Sequence, residues 1–129
     1  MDIAEKRLRD YPKYEYEIKL RKWDLEYSET DVNAGIKSIG KTSNTIEQQY
    51  IKWENDPYIA NRVFWKKCID ETLEELDTKQ ESIVREYYFE NVYSYRDLAE
   101  KHHTNRNTIM RACNRARDIL NEKLGETFR

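Results

Sequence analysis

The chain has 129 residues, of which 37% are charged and 38% hydrophobic, and its formal net charge is −2. With only three glycines and two prolines, this composition favours a helix-rich soluble domain, or two small helical lobes, over a sheet-rich or fibrous protein. No apolar run approaches the length of a transmembrane helix, and residues 1–7 lack the apolar core of a signal peptide. We therefore expect a cytoplasmic protein that makes no membrane contact.

The first half of the chain predicts helices separated by one loop. A short helix over residues 2–10 is expected to stop at Tyr11, and Pro12 suits the first turn of a second helix. Residues 28–42 combine two glycines with Asn, Asp and Ser, which predicts a loop. A third helix is expected to begin at about Asn44, which has capping-box spacing to a glutamate three residues later.

The second half predicts three further helical stretches from their start and stop residues. Asp56 followed by Pro57 is typical of a cap and a first-turn proline, and opens a helix to about residue 76. Thr78 begins a capping-box pattern for the next helix, which is expected to end at Asn91 before Ser94 caps another. Since no segment shows strand periodicity, the sequence predicts an all-α protein of six or seven helices.

Charge is distributed unevenly along the chain. Residues 1–92 hold 15 basic and 20 acidic side chains, whereas residues 93–129 hold 8 basic and 5 acidic ones. Residues 105–117 contain four arginines and no acid. The sequence therefore predicts an acidic, aromatic-rich helical lobe over residues 1–77 and a DNA-binding domain over residues 78–129.

The segment from Ser94 onward has the pattern of a helix-turn-helix. Ser94 caps its first helix, and Ala99 supplies the small residue across which a second helix can pack. His103 stands in the turn where left-handed backbone is often required, and Asn105 caps the second helix. Ile109 is expected to hold that second helix against Ala99.

The second helix, over residues 105–120, separates an apolar face from a basic one when it is drawn at about 100° per residue. Arginine and asparagine read guanine and adenine edges from the major groove, whereas hydroxyls and further cations suit phosphates. We expect base contacts from Arg106, Asn107, Thr108, Arg111 and Asn114. We expect contacts to the DNA backbone from Ser94, Arg96, Lys101, Arg115 and Arg117.

Catalytic and metal chemistry have little support in the sequence. The carboxylates are scattered, and His102 and His103 are adjacent, so helical geometry would point them about 100° apart. We expect these histidines to face solvent or phosphate. Cys68 and Cys113 match no metal spacing and are expected to be buried thiols. The sequence therefore predicts a protein that is not an enzyme, with no catalytic residues, metal or cofactor.

Two resemblances give this pattern a context. The segments Glu81–Phe89 and Asn114–Leu120, with the helix-turn-helix between them, resemble region 4 of sigma-70 factors. That resemblance implies contact with a −35 promoter element through Arg106, Asn107, Thr108 and Arg111. The whole chain resembles the RinA/ArpU family of phage late-gene transcription regulators at Leu8–Tyr14, Asp31–Gly35, Ser43–Glu47 and Arg85–Phe89.

The second resemblance implies an activator of phage late genes for packaging, structure or lysis, bound to promoter DNA in the cytoplasm of a bacterial host. The route of activation stays open: the motif could replace a sigma contact, or the acidic lobe could recruit host RNA polymerase. A single motif reads few base pairs, so a homodimer is plausible, although the sequence locates no interface for it.

Two other functions remain open from the sequence. A small terminase-like DNA-packaging protein also joins a helix-turn-helix to helical segments, although the sustained heptads of a long coiled coil are not visible here. A protein-binding module could instead present the arginine face to an acidic partner.

Overall fold

The computed structural model describes residues 2–33 and 52–126, with side chains over residues 2–26 and 52–125. These residues contain no strand, and the predicted all-α fold is confirmed. Among them, no helix has the length and apolar character that a membrane span requires. The helical elements are α1 (Ile3–Asn33), α2 (Pro57–Glu75), α3 (Thr78–Val84), a π-helical segment (Arg85–Glu90), α4 (Tyr95–Lys101) and α5 (Arg106–Glu126).

Helix α1 runs through Pro12 without interruption, so the predicted break at Tyr11-Pro12 is wrong. Proline removes one backbone hydrogen bond, but contacts made by the preceding turn hold the chain in helical form. Leu8 is fully buried. The Tyr11 hydroxyl donates to Asp70 at 2.5 Å, and its ring stacks on Phe89 with 4.5 Å between centroids. Tertiary contacts therefore override the local signal of the proline.

The same helix extends to Asn33, so the predicted loop over residues 28–42 is wrong for residues 28–33. Those six residues contain neither glycine nor proline, and nothing in their sequence ends a helix. The remainder of the predicted loop, and the predicted start of the third helix at Asn44, lie outside the described residues.

The chain forms two units, one of residues 1–12 with 65–129 and the other of residues 13–64. These units do not coincide with the predicted boundary after residue 77. The difference arises because Ala4 and Leu8 of α1 are buried in the same unit as the helix-turn-helix. From α2, that unit also takes the buried side chains of Cys68, Ile69 and Leu73.

The first unit is built around α5, which is contacted by α3 and by α4. Its core includes Tyr88 of the π-helical segment and Cys113 of α5, both almost completely buried. Burial raises the pKa of the Cys113 thiol to about 12, so this side chain stays protonated and apolar at neutral pH. Cys68 and Cys113 are both buried thiols, as predicted.

In the second unit, Asp56 caps α2 as predicted. Its carboxylate accepts a hydrogen bond from the Ile59 amide at 3.1 Å and two from the Arg21 guanidinium, at 2.9 and 3.1 Å. The hydrogen bonding from Arg21 is the main reason that the pKa of Asp56 is lowered. This contact ties the middle of α1 to the start of α2.

Candidate functional site

The first helix of the motif, α4, begins at a complete capping box. The Ser94 hydroxyl accepts from the Asp97 amide at 3.1 Å, and the Asp97 carboxylate accepts from the Ser94 amide at the same distance. The predicted cap at Ser94 is confirmed, and two backbone donors that the first turn would leave unpaired are satisfied. The Ser94 hydroxyl is the acceptor in this hydrogen bond. Its O–H group can still donate a hydrogen bond, which is what contact with a phosphate would require.

The turn that follows α4 has the hydrogen bonds of a Schellman motif. The His103 amide donates to the Glu100 carbonyl at 3.3 Å, and the Thr104 amide donates to the Ala99 carbonyl at 2.9 Å. His103 itself has φ of 54°, in the left-handed region where glycine is usual. The expectation of left-handed backbone at His103 is therefore confirmed.

Asn105 caps α5, again as predicted. Its side-chain oxygen accepts from the Thr108 amide at 2.9 Å and from the Thr108 hydroxyl at 3.0 Å. Leu98 and Ala99 of α4 are buried, as is Ile109 in the first turns of α5. The turn and the two caps thus hold the two helices in one defined arrangement.

The arginine-bearing side of α5 is open to solvent in its first turns. Arg106, Asn107, Arg111 and Arg115 are exposed, whereas the apolar side of the same helix is buried. Asn107, Arg111 and Asn114 follow one another at four and three residues, so they lie along one face. We call the exposed side chains of Arg106, Asn107, Arg111 and Arg115 the basic face of α5.

Two of the predicted contact residues are already engaged with each other. The Arg117 guanidinium donates to the Asn114 side-chain oxygen, and both side chains are only half-buried rather than exposed. The Nε atom of Arg117 is buried without an acceptor. The charge of Arg117 also acts on the buried Cys113 thiol, where it opposes the burial that raises the pKa. Arg117 therefore lies at the edge of the core rather than in the basic face.

The start of α3 lies beside the basic face. A groove is lined from α3 and its cap by Asp77, Lys79, Gln80 and Ile83, and from α5 by Thr108, Arg111 and Ala112. Next to this groove, the Arg115 guanidinium donates to the Gln80 side-chain oxygen at 3.3 Å and to the Glu75 carbonyl at 3.5 Å. Lys79 and Gln80 thus adjoin the predicted contact residues.

Sequence reasoning missed Lys79 and Gln80 because about thirty residues separate them from Arg111. The predicted cap for α3 is also shifted by one residue. Asp77, and not Thr78, accepts from the Gln80 amide at 2.7 Å, and the Gln80 side-chain oxygen accepts from the Asp77 amide at 3.3 Å. The capping pattern was visible in the sequence, but its proximity to α5 was not.

The remaining predicted backbone contacts, Arg96 and Lys101, belong to α4. Arg96 is highly exposed and its Nε atom lies 3.7 Å from the Glu100 carboxylate, a weak surface pair. Lys101 lies 2.8 Å from the Glu86 carboxylate, and the hydrogen bond to Glu86 raises the pKa of Lys101. Arg96 is therefore available to an anionic partner, whereas Lys101 already has one within the chain.

His102 does not face solvent or phosphate, so the prediction is wrong for this residue, whereas the adjacent His103 is exposed as expected. The His102 side chain is only 16% exposed, and its Nε2 atom lies 2.7 Å from the second oxygen of Glu86. The cause is the end of α4, which turns this side chain towards the π-helical segment. One carboxylate therefore joins the last residue of α4, Lys101, and its C-cap, His102, to the preceding helical stretch.

Comparison with known proteins identifies one family. Residues 1–122 match the family described as "Protein of unknown function (DUF722)". No curated protein matches the chain, and no solved structure does. Because the family match covers most of the 129 residues, the chain belongs to the DUF722 family.

Proposed function

We propose that this chain is a sequence-specific DNA-binding activator of phage late genes, which reads a promoter element in the major groove with α5. The observation that carries the proposal is the basic face of α5. Three arginines and an asparagine are exposed on a helix whose residues 105–117 include no acid, and whose opposite side is buried. Such a surface can offer bidentate donors to guanine and an amide to adenine.

The surroundings of the basic face support the same function. A reading helix must be held rigidly, and here α5 has a capped start, a defined turn before it and a buried seam against α4. Arg96 and Lys79 add cations outside α5, where phosphates would flank a helix inserted in the groove. The acidic remainder of the chain would be repelled by DNA, which confines contact to this surface.

Promoter DNA is the proposed partner, and host RNA polymerase is the second one. Action on host transcription would place the protein in the cytoplasm of the bacterial host. The resemblance to sigma-70 region 4 favours an element of the −35 class, read by Arg106, Asn107, Thr108 and Arg111. Asn114 is a weaker candidate for base contact, since Arg117 already donates to its side-chain oxygen.

The test begins by selecting bound duplexes from a random DNA library at physiological salt. On the selected site, Arg111→Ala is expected to cost about 1–3 kcal/mol of binding free energy and to relax preference at one base pair. Lys67→Ala, an exposed cation on α2, is the matched control and should change nothing. If no sequence is enriched over competitor DNA, the proposal is wrong.

Phosphate contacts are tested separately by salt dependence. The slope of log affinity against log salt concentration is negative, and removing one phosphate contact should reduce its magnitude by about 0.9. Lys79→Ala is expected to show this change and to weaken selected and random duplexes alike. An unchanged slope would mean that the start of α3 does not touch DNA, and the role of α5 would then be judged on Arg111 alone.

A further inference from the structure

An apolar side chain, Met110, lies among the polar residues that α5 exposes. Met110 is 39% exposed, whereas the other large apolar side chains described on α5 are buried or half-buried. Residues three and four apart on a helix are neighbours, so Asn107 and Arg106 lie beside Met110 on the preceding turn. Arg111 follows it in the chain and is also exposed. We propose that Met110 determines specificity by contacting the C5 methyl group of a thymine in the major groove, an inference that rests on the proposed function.

The chemistry of the thioether decides which part of a base edge Met110 can contact. The side chain has no conventional hydrogen-bond donor, and its sulfur is only a weak acceptor, so it is a poor reader of polar base edges. The apolar group that the bases present in the major groove is the C5 methyl of thymine. Contact between the two removes apolar surface of both from water. Because methionine is unbranched and has three rotatable side-chain bonds, it can adjust to the position of that methyl group.

Thr108 is the other predicted contact residue whose side chain carries a methyl group suited to thymine. Its hydroxyl and its amide both donate to the Asn105 side-chain oxygen, at 3.0 and 2.9 Å. Thr108 is half-buried and lines the groove beside α3. On an ideal helix it points about 160° away from Met110. The cap therefore holds Thr108 at the other edge of the basic face, and we expect the methyl contact from Met110.

The charge around Met110 selects the kind of partner. Residues 105–117 include four arginines and no acid, which favours an anionic partner. Protein interfaces bury a contiguous apolar core, whereas no other large apolar side chain is exposed along the described part of α5. Duplex DNA meets both conditions, since its phosphates flank a groove in which single methyl groups lie among polar base edges.

The position of Met110 on α5 also limits where the thymine should be. Consecutive residues of a helix differ by about 1.5 Å in height, and base pairs are about 3.4 Å apart. Met110 and Arg111 are therefore at nearly the same height along α5. We expect the thymine within about two base pairs of the guanine that Arg111 reads.

The experiment uses the duplex selected from the random library and replaces its thymines one at a time with deoxyuridine, which lacks only the C5 methyl group. Affinity of the wild-type chain should fall about fourfold at one position, the factor expected when one buried methyl-sized group is removed. That position should lie within about two base pairs of the one at which Arg111→Ala relaxes preference. A selected duplex without a thymine in this range would overturn the proposal.

Variants of Met110 assign the methyl effect to this side chain. Met110→Gln keeps an unbranched side chain and a similar helix propensity, but should bind the thymine and deoxyuridine duplexes equally. Met110→Leu stays apolar and should still prefer thymine. Val63→Gln makes the same kind of change at an exposed apolar residue of α2 and should keep the full difference. Circular dichroism checks that all three variants keep their helices.

The outcomes separate this inference from the proposed function. If the selected duplex responds to Arg111→Ala but to no deoxyuridine, the thymine contact is wrong and sequence-specific binding stands. A methyl effect that persists in Met110→Gln would also overturn the contact, because another residue would then make it. If no duplex is selected over competitor DNA, the proposed function and the thymine contact are both wrong.

Discussion

At the scale of single residues, the turn between α4 and α5 depends on the backbone of His103. Two hydrogen bonds of the Schellman motif, from the amides of His103 and Thr104, require the left-handed conformation there. A side chain with a β-carbon is strained in that conformation, whereas glycine adopts it without steric cost. The chain keeps this motif with a residue that is not the most favourable one for it.

The effect of substituting His103 on the free energy of unfolding should therefore depend on the residue introduced. His103→Gly is expected to be neutral or to stabilise the fold by up to about 1 kcal/mol, since relief of strain exceeds the added entropy of the unfolded chain. His103→Val should destabilise it by about 1–2 kcal/mol, because a β-branched residue is worse in this region. Urea denaturation of the three proteins measures both changes. A more stable valine variant would contradict the prediction.

At the scale of elements, Glu86 connects the π-helical segment to the end of α4. Its carboxylate lies within 2.8 Å of Lys101 and 2.7 Å of His102. Burial alone would raise the pKa of Glu86, but hydrogen bonds from Lys101 and His102 outweigh it, and the pKa is lowered below 4.5. The ionised carboxylate therefore stabilises the folded protein and orients α4, the helix that precedes α5.

The contribution of Glu86 should depend on pH. A pKa that is lower in the folded state stabilises the fold above the unfolded value and loses this effect as pH falls through the folded value. We expect Glu86→Gln to cost about 1–2 kcal/mol at about pH 6, with the difference from wild type shrinking below about pH 4.5. Denaturation of both proteins at several pH values measures the difference between their free energies of unfolding.

The control for that measurement is Glu90→Gln, an exposed carboxylate in the same π-helical segment. It should show little cost at any pH. A Glu86→Gln variant whose cost stays constant down to about pH 3 would show that the charge of Glu86 contributes nothing to stability.

At the scale of the whole molecule, the unit that contains the helix-turn-helix also requires the start of the chain. Ala4 and Leu8 of α1 are fully buried in it, and Arg9 pairs with Glu5 at 3.1 Å and bonds to the Asn91 side chain. The proposed DNA-binding surface therefore rests on residues about one hundred positions earlier. We infer that residues 78–129 alone would lack part of their core.

Two substitutions on α1 test whether the stability of this unit depends on the start of the chain. Leu8→Ala should destabilise the protein by about 2–5 kcal/mol, because it leaves a cavity in the core. Ile3→Ala, on the same helix but at a side chain that is 62% exposed, should change stability by less than about 0.5 kcal/mol. Thermal denaturation followed by circular dichroism compares them. Equal stability of the two variants would mean that the first turns of α1 are not part of the core.

Short stretches of sequence were enough to predict the caps and the turn. The caps at Asp56, Ser94 and Asn105 and the left-handed turn at His103 were predicted correctly, as was the buried apolar side of α5. These features depend on hydrogen bonds and periodicity within about four residues, so short stretches of sequence contain the information. The resemblance to phage regulators remains a prediction about function.

The contacts between residues far apart in the chain could not be predicted in this way. In the folded chain, α1 continues through Pro12 and His102 pairs with Glu86. Lys79 lies beside Arg111, and Leu8 belongs to the same unit as the helix-turn-helix. In each case a contact between residues far apart in the chain outweighs or adds to a local preference. The energy of these contacts comes from burial and from charge pairing between distant residues. No short stretch of sequence contains both residues of such a contact.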